Sequence, residues 1–216
     1  MLLFSVVAHE YAHAEAAYRQ GDDTAYMLGR LTLNPLKHID PFMSVIFPLM
    51  LWLVGAPPFG AAKPVPVNPR KYRNFRRGDI IVSLAGIAVN LGLFLVSAGV
   101  FAVVGLIAGG MPSLTSTFEI VQRMLWWGMW LNAVLAFFNL IPIPPLDGSH
   151  VFYYLLPPGA GLKYRQLQAL GFIPILLIAW VFPGVLRALL WPAFQLMHMG
   201  WGVVGNFAVS PGVLPS

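Results

Sequence analysis

No cysteine occurs anywhere in the 216 residues, which removes disulfides and thiolate metal sites together. Any metal must therefore be held by His, Asp or Glu. Charge is scarce as well: Asp, Glu, Lys and Arg make up 10% of the chain, against 58% hydrophobic residues and a mean hydropathy of +0.72. A soluble domain of this length cannot bury so much apolar sequence, whereas lipid accepts long uncharged runs directly. Composition points to an integral membrane protein. The formal charge of +5 does not argue for nucleic acid, because six of the thirteen Lys and Arg residues (Lys63, Arg70, Lys71, Arg73, Arg76, Arg77) crowd one short loop beside apolar spans. In that setting a basic cluster reads as a cytoplasmic loop beside anionic lipid.

Apolar runs over residues 79 to 110 and 119 to 141 are long enough to span a bilayer. A third, from Leu170 to Leu190, is interrupted by Pro174 and Pro183, and residues 191 to 216 add a short helix or interfacial piece. The first segment, Met1 to Gln20, has neither the basic start nor the cleavage site of a signal peptide. Only eight residues precede His9, about 12 Å of helix against a hydrocarbon core of roughly 30 Å, so the site lies deep or the chain start is trimmed. Residues 42 to 56 are apolar but short and carry Pro48, which suits a re-entrant or partial helix. Residues 57 to 69 (PPFGAAKPVPVNP) cannot be helical and read as an extended edge or loop. At membrane depth such backbone survives only against protein or a water-filled cavity. The expected fold is an all-α polytopic helical bundle with a small re-entrant or extended β segment near the active site. It forms one domain over 1–216, with a core of 1–158 and C-terminal helices over 165–216. The stretch from Met111 to Thr117 lacks any basic residue, while residues 19 to 37, 63 to 77 and 163 to 165 carry several. The first is then outside and the others cytoplasmic.

His9-Glu10-Tyr11-Ala12-His13 has the pattern H-E-x-x-H. Positions four apart share a helix face, so two imidazoles can grip one zinc ion while Glu10 lies near enough to deprotonate its water. Chance alone can produce so short a pattern. Here, though, it is flanked by Leu, Phe, Val and Ala, where two His and a Glu are costly unless they serve an ion or a wet cavity. A catalytic zinc needs a third protein ligand and an open position. Of the three glutamates, Glu10 is the base, Glu15 is too near on the same helix, and Glu119 begins a span at the opposite face. That leaves an aspartate. Asp147 is the natural choice, because the prolines at 142, 144 and 145 end the preceding helix and leave irregular chain at the depth of the histidines. A turn or helix N-cap explains Asp147 equally well, and Asp22, Asp23, Asp40 and Asp79 compete, Asp79 reading as an N-cap.

The two motifs together resemble the site-2 protease family of intramembrane zinc metallopeptidases, peptidase family M50. In that family an HExxH helix is paired with a later Asn-x-x-Pro-x-x-Pro-x-Asp-Gly segment, here Asn139, Pro142, Pro145, Asp147 and Gly148. GRLTLNP from Gly29 and KPVPVNP from Lys63 match its compact bacterial type, and the similarity runs from His9 to about Pro158. The resemblance implies His9, His13 and Asp147 as ligands of one zinc ion and Glu10 as general base. It also implies that Asn90 and Asn139 hold substrate or the oxyanion. The family usually has proline after the Ala85-Gly86 pair, where this chain has Ile87. The bland reading of either Asn is a helix–helix hydrogen bond.

The expected activity is hydrolysis of peptide bonds in or near transmembrane segments of membrane-anchored substrates. The expected place is the bacterial inner membrane, with the active site toward the cytoplasm. Expected partners are a transmembrane protein substrate and the lipid bilayer, not nucleic acid. The alternative is an inactive relative that binds membrane proteins, or a zinc-handling membrane protein. Neither needs a base beside the metal, so Glu10 separates them from an enzyme.

Overall fold

A computed structural model describes residues 1–55, 60, 62–210 and 213. The chain divides into two compact units, one of Val6–Gly86 and one of Met1–Ser5 with Ile87–Ser216.

In Val6–Gly86 the leading element is helix α1 (Leu2–Arg19), followed by the single turn α2 (Thr24–Met27). A π-helical stretch, Pro41–Ile46, runs into the short helix α3 (Phe47–Leu53). The unit closes with the first turns of α4 (Phe75–Ala108). Small residues on α1 let other chain approach it closely: Ala14 packs with Ala25 and Val65, and Ala17 with Tyr72 and Val82. The two Asn-Pro steps form the same local device. In each, the Asn side chain accepts an N–H two residues on, Asn34 from Leu36 at 3.1 Å and Asn68 from Arg70 at 3.2 Å, and proline opens a 3-10 turn. Asp40 does likewise, accepting the N–H groups of Phe42 and Met43 ahead of α3. As expected, the apolar stretch after residue 42 makes only a short helix.

The other unit holds the remainder of α4 and α5 (Thr115–Leu140), followed by five shorter helices. These are α6 (Gly148–Tyr153), α7 (Pro158–Gln166), α8 (Ile173–Val181), α9 (Pro183–Leu189) and α10 (Trp191–Val204). Its core gathers Phe94, Phe101, Leu125, Met129, Ala133, Met197 and Val204. Pro183 divides α8 from α9, as its missing N–H requires. By length and composition α4, with 34 residues, is the one described helix able to cross a membrane. The pair Pro158–Leu170 and Ile173–Val181 passes the same test only as a broken span bent by 80°. The run expected to span at 119 to 141 is a helix of sufficient length, but among its buried residues are Gln122 and Asn132, and it is not apolar enough to pass.

The described residues contain helices and irregular chain but no strand, which corrects the expected β segment. Residues 56–59 and 61 lie outside the described residues; for 62–68 the reason is visible. Pro64 and Pro66 have no N–H to give. The N–H groups of Lys63, Val65 and Asn68 go to the His38 carbonyl, the Glu10 carboxylate and the Asp22 carboxylate. Side chains and a loop carbonyl take the donors that a neighbouring strand would need.

Candidate metal centre

An α-helix brings residues four apart onto one face, and α1 does this with His9 and His13. Their Nε2 atoms are 2.9 Å apart and the rings meet edge to face, 4.5 Å between centroids. His13 donates from Nδ1 to the main-chain carbonyl of Val82 at 2.7 Å. A carbonyl can only accept, so Nδ1 carries a proton, and the neutral form of the ring has its lone pair on Nε2. Hydrogen bonds of this kind fix the tautomer of metal-binding imidazoles. Two ligands of one tetrahedral zinc at about 2.05 Å would have nitrogens roughly 3.3 Å apart, so the pair needs only a slight opening to take the ion. His9 is buried and His13 half-buried. The donor set therefore fits zinc.

Space for this pair depends on a glycine. Gly86, on the second turn of α4 beyond Asp79, faces the imidazoles so closely that a β-carbon there would lie 2.5 Å from both His13 Nε2 and His9 Cε1. Glu10 points toward the irregular chain, where its Oε2 accepts the N–H of Val65 at 2.8 Å.

Asp147, Asn90 and Asn139 belong to the other unit. Asp147 precedes α6 in helical conformation, but its side chain makes no capping bond, so the capping role that a short helix suggested is not the one it plays. Gly148 is dictated by crowding, not by a left-handed turn. A β-carbon there would collide with the Leu140 carbonyl and lie 3.0 Å from that of Ile141, and its φ is not positive. Leu146, buried with Ile141 and Ile175, fixes the preceding residue. The end of α5, the proline turn and the Asp-Gly step are thus packed as one rigid corner.

Asn90 is fully buried and donates from Nδ2 to Asn132 Oδ1 at 2.9 Å. Asn132 in turn donates to Ser5 Oγ at 3.0 Å and to the Gly128 carbonyl at 2.8 Å. Asn139 donates to the Leu135 carbonyl of its own helix at 3.0 Å and is half-buried. Sequence reasoning missed the parts played by Val82, Asn132 and Ser5, and that the Val65 N–H goes to Glu10. Val82 and Val65 act through main-chain atoms and carry no residue-type signal. His38 lies in a loop but is buried, with Nε2 on the Thr32 carbonyl at 2.8 Å.

The model of peptidase family M50 matches residues 1–179. "Putative zinc metalloprotease YwhC" of Bacillus subtilis is 41% identical over 191 residues, covering 88% of this chain and 82% of that protein. "Putative zinc metalloprotease Rip2" of Mycolicibacterium smegmatis is 30% identical over 217 residues, covering 97% of this chain and 75% of its own length. An uncharacterized protein of Methanocaldococcus jannaschii is 30% identical over 102 residues, 47% of this chain. No solved structure matches.

Proposed function

The chain belongs to peptidase family M50, and from that premise we propose that it is a zinc endopeptidase of the membrane. On this reading it cuts membrane-anchored proteins within or beside their transmembrane segments. The observation that carries the reading is the facing pair of Nε2 atoms on His9 and His13, 2.9 Å apart, with the tautomer of His13 fixed by Val82. Asp147 is the third ligand in this proposal, supported by its place in the second motif and by a side chain that caps no helix.

Zinc, when bound, lowers the pKa of a water toward about 7 and polarises the carbonyl under attack. The chain's own residues do the rest. Val82 holds the proton on Nδ1 of His13, so that Nε2 can act as a ligand. Glu10, with Oε2 on Val65, keeps Oε1 to take the water's proton and hand it to the leaving amine. Asn90 and Asn139 remain proposed substrate contacts. Asn90 also ties α4 to α5 through Asn132, so Asn139→Ala is the cleaner probe. The integral placement of the protein rests on α4. The inner membrane, a cytoplasmic-facing site and a transmembrane substrate belong to the same proposal, which has no place for nucleic acid.

The test is cleavage of a membrane-spanning reporter by purified protein. Glu10→Gln is expected to abolish cutting and keep zinc, while Asp147→Ala loses the metal. Cutting that survives both Glu10→Gln and a chelator would sink the zinc mechanism, and zinc content untouched by Asp147→Ala would remove the third ligand.

A further inference from the structure

The irregular chain at 62–68 is anchored far more firmly than a surface connection requires. Lys63 donates its N–H to the His38 carbonyl at 2.8 Å and accepts at its own carbonyl from Arg30 Nη2 at 3.1 Å. At the other end, the N–H of Asn68 goes to Oδ2 of Asp22. Asp22, His38 and Arg30 are all buried, an unusual investment of polar groups for one loop. Between these anchors stand Pro64 and Pro66, which fix φ on either side of Val65 and have no N–H of their own. The Val65 side chain is buried against Ala14 and Ala25. The N–H left at the centre of this clamp points at Oε2 of Glu10, 2.8 Å away.

We propose that Val65 is a positioning residue: its main-chain N–H holds the carboxylate of Glu10 in one orientation beside His9 and His13, and the clamp on 62–68 serves to deliver that N–H. The inference rests on the reading of Glu10 as the base. A glutamate on a helix has three rotatable bonds and visits several rotamers, so its contribution as a base depends on how much of the time it lies in reach. One charge-assisted hydrogen bond from backbone that cannot swing away selects a single arrangement. Buried Val65 also needs a partner for its N–H, and Glu10 supplies one. The two roles differ in what is lost when the N–H is removed. If Glu10 merely anchors the loop, stability falls and the chemical step does not.

The experiment uses the full chain in lipid nanodiscs, cutting the membrane-spanning reporter. Val65 is replaced by its α-hydroxy acid, which exchanges N–H for oxygen and leaves the side chain intact, and separately by proline. Val67→Ala is the control, because it trims an exposed side chain of the same loop and leaves the Val65 N–H in place. Both N–H-less proteins are expected to lose at least about tenfold in kcat, with KM within about twofold of native, the pattern of a group misplaced in the transition state. Zinc content is expected to stay native, and Val67→Ala to keep its kcat. Native kcat in either zinc-loaded, N–H-less protein overturns the proposal, as does an equal fall in Val67→Ala. Native cutting by Glu10→Gln is the separate outcome that removes the role of Glu10 itself.

Discussion

Gly86 shows how a single residue limits what the histidine pair can do. Its missing side chain leaves room for two imidazoles to face each other, and the nearest ring atoms lie 2.5 Å from where a β-carbon would stand. Gly86→Ala must therefore push the rings apart or displace the helix. Overpacking costs of about 1–3 kcal/mol make a loss of zinc affinity of roughly tenfold or more the expected result, read as metal content after dialysis against a weak chelator. Gly92, on the same helix, would meet nothing within 4 Å, so Gly92→Ala should hold zinc like the native chain. If both variants bind zinc equally, crowding at Gly86 is irrelevant. At this scale the placing of His9 and His13 on one helix face was legible, because helical period is written in the spacing of residues. Val82 and Val65 were not, since each acts through main-chain atoms that any residue possesses. Asp79 was misread for a related reason. Asn74 caps α4 by accepting the N–H of Arg77 at 2.9 Å, and Asp79 lies buried a turn further in. Local preference ranks Asn and Asp alike as caps, and tertiary burial decided between them.

Among the elements, periodicity and proline placement located the helices well, and the polar residues inside them were the harder part. The limits of α4 and α5 follow the long apolar runs, and the break at Pro183 follows from chemistry. The role of 62–68 escaped because alternating proline and valine says "extended" without saying what its N–H groups bond. Likewise Asn132 and Gln122 look like unfavourable intrusions in α5 until their partners are known. Asn132 satisfies Asn90, which is 0% exposed, so Asn132→Leu leaves a buried amide without its acceptor. The expected cost is about 1–3 kcal/mol in denaturant unfolding. Gln122 donates to the carbonyls of Phe101 and Phe207, at 3.1 and 2.8 Å, and accepts the N–H of Val209 at 2.8 Å. It ties the chain after α10 to α4. Gln122→Ala should release that segment, seen as faster amide exchange over 205–210 with the middle of α5 unchanged. Unaltered exchange there would show that apolar packing alone holds the segment.

For the molecule as a whole, the question is how far the fold depends on the metal it is proposed to hold. Zinc fingers are unfolded without their ion because nothing else orders the ligands. Here His9 and His13 stand on one continuous helix of 18 residues, ordered by its own backbone bonds and by the packing of Ala14 and Ala17. Ion binding then draws on order that already exists, adding stability by mass action without creating structure. Chelation should abolish cutting of the reporter while far-UV ellipticity changes by less than about a tenth, and added zinc should restore activity without a refolding lag. The thermal midpoint should still fall on chelation, since the ion binds the folded state alone. A collapse of helicity without zinc would mean that α1 depends on its ligands for order. The metal would then be a structural element of the fold, and loss of activity on chelation could no longer be read as loss of a catalytic ion.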